Sequence, residues 1–515
     1  MMMWLGLITK SALVILTALL GLLCFPVGLP WSLPTIPIYV SFLPIFTEMD
    51  QLEIFEKYIR EPMEKYGAVK IFFANRWNVL TSKPEFLNVM FRDEDTFAKS
   101  GNQKKIPYSV LAQYTGDNVI SAHGKVWLKY RNCIQTQLTV FDSKPLSDNA
   151  QLFVKLLKKC IEDDPEGIVL LPPLVQRLTL ANISKIALGF DIGTLKFNVH
   201  GEPLRSQLHE KLNQVKQQIF KPIFLSFPFL DLLPIRSRQK ARMDVADFRN
   251  MLLDTVHTNL IMNYTYEQTN NAATGLIKEW KLKGINDEQL KDNLVIILVA
   301  GHENPQLLLT TLFYLLAKYQ DWQYAIREEL SNVTENDDIL NSYKLTAFIY
   351  EAIRMFPPLG QIINRKTTKR CQLGPGIIMN KGIYCGYNVY GTGTSTTVWG
   401  KTAKQFLPER WGDNLEEVTS SWKKHKYDAS MSAFHGGRRS CLGEKLAIME
   451  MKYVLYYVLM DFHIALDPSW KEKMTPAGPI CPKMLSVKLE LLKDQEDPIS
   501  GSFYPSDART LIQNL

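Results

Sequence analysis

A single cysteine in the segment FHGGRRSCLGEKLA (434–447) has the sequence context of a metal ligand or a nucleophile. Gly437 and Gly443 flank Cys441 and allow a tight turn and the close passage of a flat partner. The run that follows predicts a helix, so Cys441 would lie at a helix amino terminus, where the helix dipole and Arg439 favour thiolate over thiol. The alternative is a buried structural cysteine, which is the commonest role of a free cysteine.

A second polar feature lies inside a long apolar helix. The segment 285–318 contains no strong helix breaker except within GHENP, so it predicts one long helix. Pro305 cannot donate to the carbonyl of Gly301, which predicts a kink or a widened turn at that point. Glu303 and Asn304 are the polar side chains at this notch, and unpaired polar groups are costly to bury. The notch is therefore either a functional site in a buried helix or a solvated kink at the surface.

The composition is that of an ordinary globular protein. The chain has 515 residues, of which 46% are hydrophobic and 22% are charged, and this argues against wholesale disorder, a collagen-like fibre and a multi-span transporter. The formal net charge of +7 is small for this length and gives no argument for nucleic-acid binding. Seven cysteines without a CxxC pair argue against a disulfide framework and against a zinc site built from several cysteines.

The amino terminus is predicted to be a membrane anchor. Residues 1–25 carry one charge, Lys10, and residues 4–25 are long enough to span a bilayer as a helix if Lys10 reaches the headgroups. A cleaved signal peptide is the alternative, but no charged segment precedes the apolar run and no A-x-A site follows it. The predicted organisation is an anchor (1–30), a proline-rich linker (31–47), a catalytic domain (48–493) and a polar tail (494–515).

The sequence after the linker predicts one mainly helical domain with a small β part. It contains no internal repeat and no long low-complexity run. Short β segments are predicted at 70–73, at 77–82, within 360–390 and after residue 463. Helices are predicted near 49–66, 84–93, 122–137, 143–161, 172–188, 205–219, 238–264, 286–318, 321–331, 341–356 and 442–460. These elements must bring the cysteine loop and the polar notch together if both belong to one site.

Five motifs in a fixed order resemble those of the cytochrome P-450 family of haem-thiolate enzymes. They are W-x-x-x-R at Trp127 and Arg131, A-G-x-E at Ala300, Gly301 and Glu303, E-x-x-R at Glu351 and Arg354, P-E-R-W at Pro408 to Trp411, and F-x-x-G-x-R-x-C-x-G at Phe434, Gly437, Arg439, Cys441 and Gly443. The resemblance implies the mainly α fold of that family, a single large catalytic domain, and haem b bound through the Cys441 thiolate, with O2 as the oxidant.

The resemblance also implies roles for individual residues. Phe434 and Gly443 would belong to the haem-binding loop around Cys441. The expected partners of the haem propionates are Trp127, Arg131, Arg365 and Arg439, with His123 as a weaker candidate. A buried, hydrogen-bonded charge network that fixes the structure is expected from Glu351, Arg354 and Arg410.

The catalytic notch of the family would be formed by Gly301, Glu303 and Asn304. The family usually has threonine where this chain has Asn304, and that threonine usually helps to deliver protons and to hold bound oxygen. Asparagine can donate and accept hydrogen bonds, but it makes a different relay. The departure affects the expected efficiency of oxygen insertion and leaves haem binding as expected.

Several stretches are similar to a narrower group within the family, the dityrosine-forming cytochromes of the yeast spore wall. The stretches are 66–82, 93–124, AGHENPQLL (300–308) and TPAGPICP (475–482). This similarity implies ring-to-ring coupling of two N-formyltyrosine molecules to N,N′-bisformyl dityrosine, a product into which no oxygen atom enters. The alternatives are a monooxygenase that hydroxylates a lipid such as a fatty acid, a sterol or an alkane, and a haem-binding sensor or carrier without turnover.

Formyltyrosine carries a carboxylate, so its pocket is expected to be mostly apolar with cationic anchors. Lys104 and Lys105 precede the Trp127 helix and are the candidate carboxylate partners; the alternative is a solvated pair of lysines in a loop. By family position, four further residues should border the pocket: Leu359, Gly360, Gln361 and Ile362.

Electrons must come from a separate donor, because the chain has no convincing flavin or nicotinamide fingerprint. The family implies NADPH-cytochrome P-450 reductase, whose docking face is acidic. SWKKHKY (421–427), Lys125 and Lys129 would form a basic docking face, unless 421–427 is only a charged surface loop. The family and the apolar amino terminus together predict a protein anchored in the endoplasmic reticulum membrane with its catalytic domain in the cytosol.

Overall fold

The computed structural model describes residues 21, 26–164, 166–198, 204, 206–262, 269–333, 336–476 and 478–492. Most of the predicted anchor and all of the predicted tail lie outside these residues. Within them, the structure contains no helix that combines the length and the apolar character needed to cross a bilayer.

The longer helices make up most of the domain, and we number them in chain order. They are α1 (Pro84–Arg92), α2 (Gly124–Thr139), α3 (Lys144–Asp163), α4 (Leu171–Ile183), α5 (Gln207–Ile219), α6 (Arg236–Val256), α7 (Ala272–Lys281), α8 (Asp287–Lys318), α9 (Gln320–Leu330), α10 (Tyr343–Met355), α11 (Leu415–Tyr427) and α12 (Glu444–Asp461).

Short helical pieces lie between and before the longer helices. The α-helical ones are Leu43–Phe46, Gln51–Ile54, Arg60–Tyr66, Asn102–Lys105, Val110–Thr115, Pro222–Ser226, Asn336–Ile339, Val389–Gly393 and Thr396–Trp399. The 3-10 turns are Ile38–Phe42, Pro228–Leu232, Pro408–Trp411 and Gly437–Arg439, and the π-helical turns are Phe55–Ile59, Ser184–Leu188 and His257–Met262.

The β part is small, as the sequence predicts, and forms three sheets. The strands are β1 (Ala68–Phe73), β2 (Arg76–Thr81), β3 (Phe97–Lys99), β4 (Ile168–Leu170), β5 (Gln361–Thr367), β6 (Cys371–Gly374), β7 (Ile377–Met379), β8 (Tyr384–Asn388), β9 (Phe462–Leu466) and β10 (Ser486–Leu491). The largest sheet has the order β1-β2-β8-β5-β3, the second has the order β4-β10-β9, and β6 pairs with β7. In the largest sheet β3 pairs antiparallel with β5 and places Lys99 opposite Arg365.

Helix α8 is the central element of the helical part. It begins with a capping box in which Asn286 and Gln289 each bond the backbone of the other, and its 32 residues span about 48 Å at the usual helical rise. Buried side chains occur on all of its faces, which is typical of a helix enclosed by the core. Residues 301–305 are α-helical, so the widened turn that Pro305 predicts is absent.

The packing of α4 against α8 depends on a glycine. A β-carbon at Gly301 would overlap the side chain of Ile183, the last residue of α4, so only glycine permits this approach. The largest hydrophobic cluster draws buried residues from α2 through α12, whereas a second cluster joins α1 to the five-stranded sheet. The candidate site lies where these two parts of the domain meet.

Two of the longer helices are absent from the sequence-based expectation. Helix α7 is short, but it begins with a capping box formed by Asn271 and Thr274. Helix α11 contains the whole basic segment 421–427, so this segment is helical and is not a loop. Val418 and Trp422 are its buried residues, and the exposed lysines Lys423 and Lys424 lie on the other side.

Candidate active site

A cavity lies between α8, α2, β5 and the cysteine loop. The volume open to the centres of water molecules is about 280 Å³. Its wall is largely apolar; the apolar side chains include Ile183, Ile296, Ile297, Leu308, Leu359 and Ile362. Cys441 lines the same cavity as Gly301 and Asn304, so the fold brings the cysteine loop and the α8 notch together.

The loop that carries Cys441 is fixed by close packing. The N–H of Cys441 donates to the carbonyl of Phe434 at 2.9 Å. Gly437 has a φ of +61°, and a β-carbon there would meet the backbone oxygen of Phe91 at 2.7 Å, so glycine is required for two reasons. Gly443 is the N-cap of α12, which places the sulfur just before the helix begins. The sulfur therefore faces the cavity from a rigid turn.

Two opposing effects act on the ionisation of Cys441. The side chain of Cys441 is exposed toward the cavity, but protein atoms enclose it on its other sides. This burial raises the pKa of the Cys441 thiol to about 11. The hydrogen bond from the N–H of Gly443 and the charges of Lys426 and Arg131 act in the opposite direction and do not outweigh burial. The helix terminus and the nearby cations thus act in the direction that the sequence predicts, and a bound metal ion would add to their effect.

Cations line one wall of the cavity around Trp127. The guanidinium of Arg439 lies 4.3 Å from the centre of the Trp127 ring, and that of Arg131 lies 5.7 Å from it. Arg439 donates to the carbonyl of Ala122 at 2.6 Å and contacts the carboxylate of Glu94 at 3.2 Å. Burial nevertheless lowers the pKa of Arg439 to about 9, so the single carboxylate compensates its charge only in part.

The cation-rich wall suits an anionic cofactor. Nη1 of Arg439 and Nε of Arg365 are buried and find no hydrogen-bond partner among the described residues. Arg365 is 1% exposed, binds the carbonyl of Phe97 through Nη1 at 2.8 Å, and lies next to the cavity wall. His123 is 3.8 Å from Glu94, and burial lowers its pKa, which favours the neutral ring. Donors without partners beside Cys441 match a haem, whose two propionates would accept from them.

The polar residues of the α8 notch face different ways. Gly301 and Asn304 line the cavity. Glu303 does not line it and instead forms an ion pair with Lys216 of α5 at 3.2 Å. His302 is fully buried and donates through Nδ1 to the carbonyl of Leu298 at 2.7 Å. Asn304 is therefore the polar side chain of the notch that a ligand in the cavity would meet.

Only some of the residues predicted to contact the substrate line the cavity. Leu359 and Ile362 line the cavity, whereas Gly360 and Gln361 are not part of its wall. Lys104 is exposed to solvent. Lys105 is 4% exposed, but its Nζ lies between the rings of Phe73 and Tyr384, at 5.3 and 5.5 Å, and not in the cavity wall.

Five polar residues of the cavity wall were missed by sequence reasoning: Lys99, Asn364, His435, Ser440 and Glu450. None of them belongs to a recognisable motif of regularly spaced polar residues, so no spacing pattern marks their role. His435 bonds the hydroxyl of Tyr387, which is buried in the sheet. Lys99 could have been found from its position at the end of a short apolar strand. A lysine that is buried there requires a nearby anion, which points to a binding site.

The network around Glu351 lies behind the cysteine loop, away from solvent. Both Glu351 and Arg354 are fully buried, and Nη2 of Arg354 donates to Oε1 of Glu351 at 2.7 Å. Arg410 donates to Oε1 of the same carboxylate at 2.9 Å, and the ring N–H of Trp411 donates to Oε2 at 3.1 Å. Arg354 also donates to the carbonyl of Ala403 at 2.7 Å. The carboxylate thus links α10 to the chain segment that precedes α11.

A second buried carboxyl group lies on the face of α12 that borders the cavity. Oε1 of Glu450 accepts from Asn182 of α4 at 2.7 Å, and Asn182 accepts from Asn149 of α3 at 2.8 Å. Lys185 donates to Asn149 at 3.0 Å. Burial raises the pKa of Glu450 to about 8, so the group is mostly protonated at neutral pH. Three helices are joined by this chain of side chains.

The sequence matches one family model and several proteins along most of its length. The model described as Cytochrome P-450 matches residues 34–490. The chain is 51% identical over 464 residues to cytochrome P-450-DIT2 of Saccharomyces cerevisiae, an alignment that covers 90% of this chain and 94% of that protein. It is 33% identical over 478 residues to cytochrome P-450 monooxygenase xanG of Aspergillus fumigatus, covering 90% of this chain and 88% of that protein.

Glu351→Gln should destabilise the domain strongly. The change removes the negative charge that faces Arg354, and breaking a buried ion pair by removing one partner costs about 3–5 kcal/mol. The free energy of unfolding in urea would measure this loss. Glu416→Gln, at an exposed position on α11, is the matched control and should leave the midpoint almost unchanged. Equal midpoints for the two variants would contradict the role of the network.

Glu450→Gln should change how stability depends on pH. A glutamate in the unfolded chain has a pKa of about 4.3, whereas burial holds the pKa of Glu450 at about 8. Between these values the folded chain binds the extra proton, so ionisable Glu450 makes the free energy of unfolding fall as pH rises, by at most about 1.4 kcal/mol per pH unit. The variant lacks this decline.

Urea unfolding of the wild type and of Glu450→Gln at several pH values between about 5 and 8 checks this prediction. The advantage of the variant should grow with rising pH and level off near pH 8. Glu162→Gln, at an exposed position of α3, is the control for the loss of one carboxylate. Parallel curves for Glu450→Gln and the wild type would show that Glu450 is ionised in the folded chain.

Proposed function

The chain belongs to the cytochrome P-450 family and is an oxidoreductase that uses haem with a cysteine thiolate ligand and O2, and we propose that it joins two N-formyltyrosine molecules ring to ring. The product is N,N′-bisformyl dityrosine, a precursor of a spore or cell wall. The observation that carries the proposal is the 51% identity to cytochrome P-450-DIT2 across 90% of the chain, together with the stretches that resemble the dityrosine-forming group.

The proposed reaction joins two carbon atoms and adds no oxygen to the product. Each phenol loses one hydrogen atom, and a carbon–carbon bond forms between the ring positions ortho to the two hydroxyl groups. The two hydrogens removed, together with two electrons and two protons from the donor system, reduce one O2 to two molecules of water. When bound, haem supplies the oxidising chemistry that takes the hydrogen atoms from the phenols.

The residues of this chain would bind and orient the substrates. Apolar side chains such as Ile296, Ile297 and Ile362 form a wall suited to aromatic rings. The Asn304 amide, on the same wall, can donate to a phenol oxygen and accept from a phenol hydroxyl. Glu303 forms its ion pair with Lys216 outside the cavity. Any proton that Glu303 gives or takes would therefore move on the side of α8 that faces α5. An asparagine that orients a phenol suits a reaction without oxygen insertion.

Hydroxylation of a lipid is the second candidate function. The largely apolar wall of the cavity favours it, because such a wall also suits an alkyl chain. The Aspergillus fumigatus relative is named a monooxygenase, and it aligns with 90% of this chain. The two candidates differ in their products: coupling removes two hydrogens per pair of substrates, whereas hydroxylation adds one oxygen atom.

NADPH would supply the electrons through NADPH-cytochrome P-450 reductase, with this chain anchored in the endoplasmic reticulum membrane and its catalytic domain in the cytosol. Helix α11 supports a docking face beside the cysteine loop, because Trp422 packs edge-on against Phe434 at 6.1 Å. Lys423 and Lys424 on α11 are exposed, and Lys125 of α2 is exposed as well. These cations would attract an acidic partner.

Incubation with N-formyltyrosine, the reductase and NADPH should yield a product of twice the substrate mass less two hydrogens. Mass spectrometry measures this directly, and the wild type in the absence of reductase is the control. A product that gains one oxygen, or turnover of a fatty acid with no turnover of N-formyltyrosine, would overturn the coupling assignment. NADPH consumption that no substrate stimulates would favour a carrier without turnover.

Lys423→Glu combined with Lys424→Glu should slow reduction by the reductase. The substitutions reverse two exposed charges, so the second-order rate constant should fall by roughly 10-fold or more at low ionic strength and depend less on salt. Stopped-flow reduction under carbon monoxide gives the rate. Lys57→Glu combined with Lys65→Glu makes the same charge change on the helical segment at 55–66 and is the control. Equal rates for the two double variants would place the docking face elsewhere.

A further inference from the structure

A histidine of the cysteine loop has a backbone conformation that normally suits glycine. His435 has a φ of +62°, in the left-handed region, and Gly437 two residues later has a φ of +61°. Residues with a β-carbon adopt this region uncommonly, because it strains the backbone. The imidazole at position 435 nevertheless lines the cavity. Because a strained residue persists only where its surroundings hold it, this position points to a role for the side chain.

One nitrogen of the imidazole is bonded to a buried tyrosine. Nδ1 of His435 forms a hydrogen bond with the hydroxyl of Tyr387 on β8. Tyr387 is 1% exposed, and its ring packs edge-on against Phe91 of α1 at 5.2 Å. The hydroxyl has no other hydrogen-bond partner among the residues that the structure describes. Packing therefore fixes the tyrosine, and its one hydrogen bond is made with His435.

The buried hydroxyl determines which nitrogen of His435 carries the proton. If Nδ1 donated to Tyr387, the hydroxyl proton would itself be buried without an acceptor, and such a group is costly. Tyr387 therefore donates, and Nδ1 accepts. Burial raises the pKa of Tyr387, which keeps the proton on the phenol oxygen. In a neutral imidazole whose Nδ1 accepts a hydrogen bond, the proton is on Nε2.

The surroundings of His435 keep its ring neutral. Burial is the largest effect on its pKa, and the nearby side chains of Lys99, Arg365 and Arg439 act in the same direction. The pKa of His435 therefore lies well below its usual value. Nε2 makes no hydrogen bond with any described residue, and it is open to the cavity rather than enclosed by protein. The N–H at Nε2 is thus a neutral donor without a partner on the cavity wall.

We propose that His435 is a further haem-binding residue, whose Nε2–H donates to a propionate of the cofactor. Arg365 and Arg439 lie nearby and have buried donors without partners, so His435 extends an existing group of donors. It adds a hydrogen bond without adding a positive charge, on a wall where Glu94 compensates the charge of Arg439 only in part. Donation to a propionate does not depend on the substrate, so this site and the coupling function can fail separately.

Tyr387 acts through His435 as a positioning residue. It holds the orientation of the ring and keeps the proton on Nε2, as an outer hydrogen-bond partner does for a metal-bound histidine. A pair that only linked β8 to the cysteine loop would need the bond at Nδ1 and nothing at Nε2. A donor to the cofactor needs the N–H at Nε2. The two roles therefore differ in which nitrogen of the ring matters.

Two substitutions of His435 separate the roles of its two nitrogens. In His435→Asn the short amide can still accept from Tyr387 in place of Nδ1, but no group remains at the position of Nε2. In His435→Gln the longer amide can donate from near the position of Nε2, but Tyr387 loses its acceptor. Asparagine is one of the few residues that tolerate a left-handed backbone, so His435→Asn does not add backbone strain.

Transfer of haem from the purified holoenzyme to an excess of apomyoglobin measures how firmly the chain holds it. His435→Asn should lose haem at least roughly 10-fold faster than the wild type, since a hydrogen bond to a charged group is worth about that factor or more. His435→Gln should stay closer to the wild type, and Tyr387→Phe should fall between these two variants. His257→Asn, at an exposed position, is the matched control and should lose haem at the wild-type rate.

Resonance Raman spectroscopy gives a second readout, because the propionate bending bands respond to hydrogen bonds on the carboxylates. These bands should shift in His435→Asn, shift less in Tyr387→Phe and stay unchanged in His257→Asn. Faster haem loss from Tyr387→Phe than from His435→Asn, with unshifted bands in both, would reduce the pair to a link between sheet and loop and overturn the proposal. Wild-type rates and bands in His435→Asn would overturn it as well. Should His435→Asn be recovered without haem, unshifted bands in Tyr387→Phe together with rapid haem loss from His435→Gln would count against it equally.

Discussion

Positive charge buried beside the cavity is the constraint on which the candidate site depends. Lys99 and Arg365 reach this wall because β3 pairs with β5, and Arg439 reaches it from the cysteine loop. Burying an ion costs several kcal/mol unless an opposite charge compensates it, and Glu94 compensates only in part. Additional anions would compensate the rest of this charge, and a cofactor with two propionates would supply them.

The thiol of Cys441 is another buried group whose charge a bound cofactor would stabilise. The turn around Cys441 orients the sulfur through the hydrogen bond to Phe434 and the close contact of Gly437 with Phe91. Burial opposes ionisation and raises the pKa of the thiol to about 11, whereas the hydrogen bond from Gly443 acts in the other direction. A bound metal ion would add to the effect of that hydrogen bond. The sequence shows that Cys441 precedes a helix, but it does not show how deeply the sulfur is buried.

Features set by residues close together in the chain could be predicted from the sequence. Helix α8 and the small β part follow from local patterns, and the polar pair of the notch is visible in its apolar surroundings. Contacts between distant segments could not be predicted. The pairing of Lys99 with Arg365 depends on strand register, and the outward turn of Lys105 depends on the rings of Phe73 and Tyr384. Charge on α11 obscured its helical pattern, since only two of its residues are buried.

The cavity has two unlike walls, and this asymmetry gives a ligand one favourable orientation. Asn304 and two isoleucines of α8, Ile296 and Ile297, line one part of the cavity, while Lys99, Arg131 and Arg439 bring positive charge to another part. An amphipathic molecule would keep its apolar part away from the cations, because burying a charge among isoleucines is more costly than burying a ring there. Charge is therefore concentrated in one part of the cavity, and the apolar part remains for a ring or an alkyl chain.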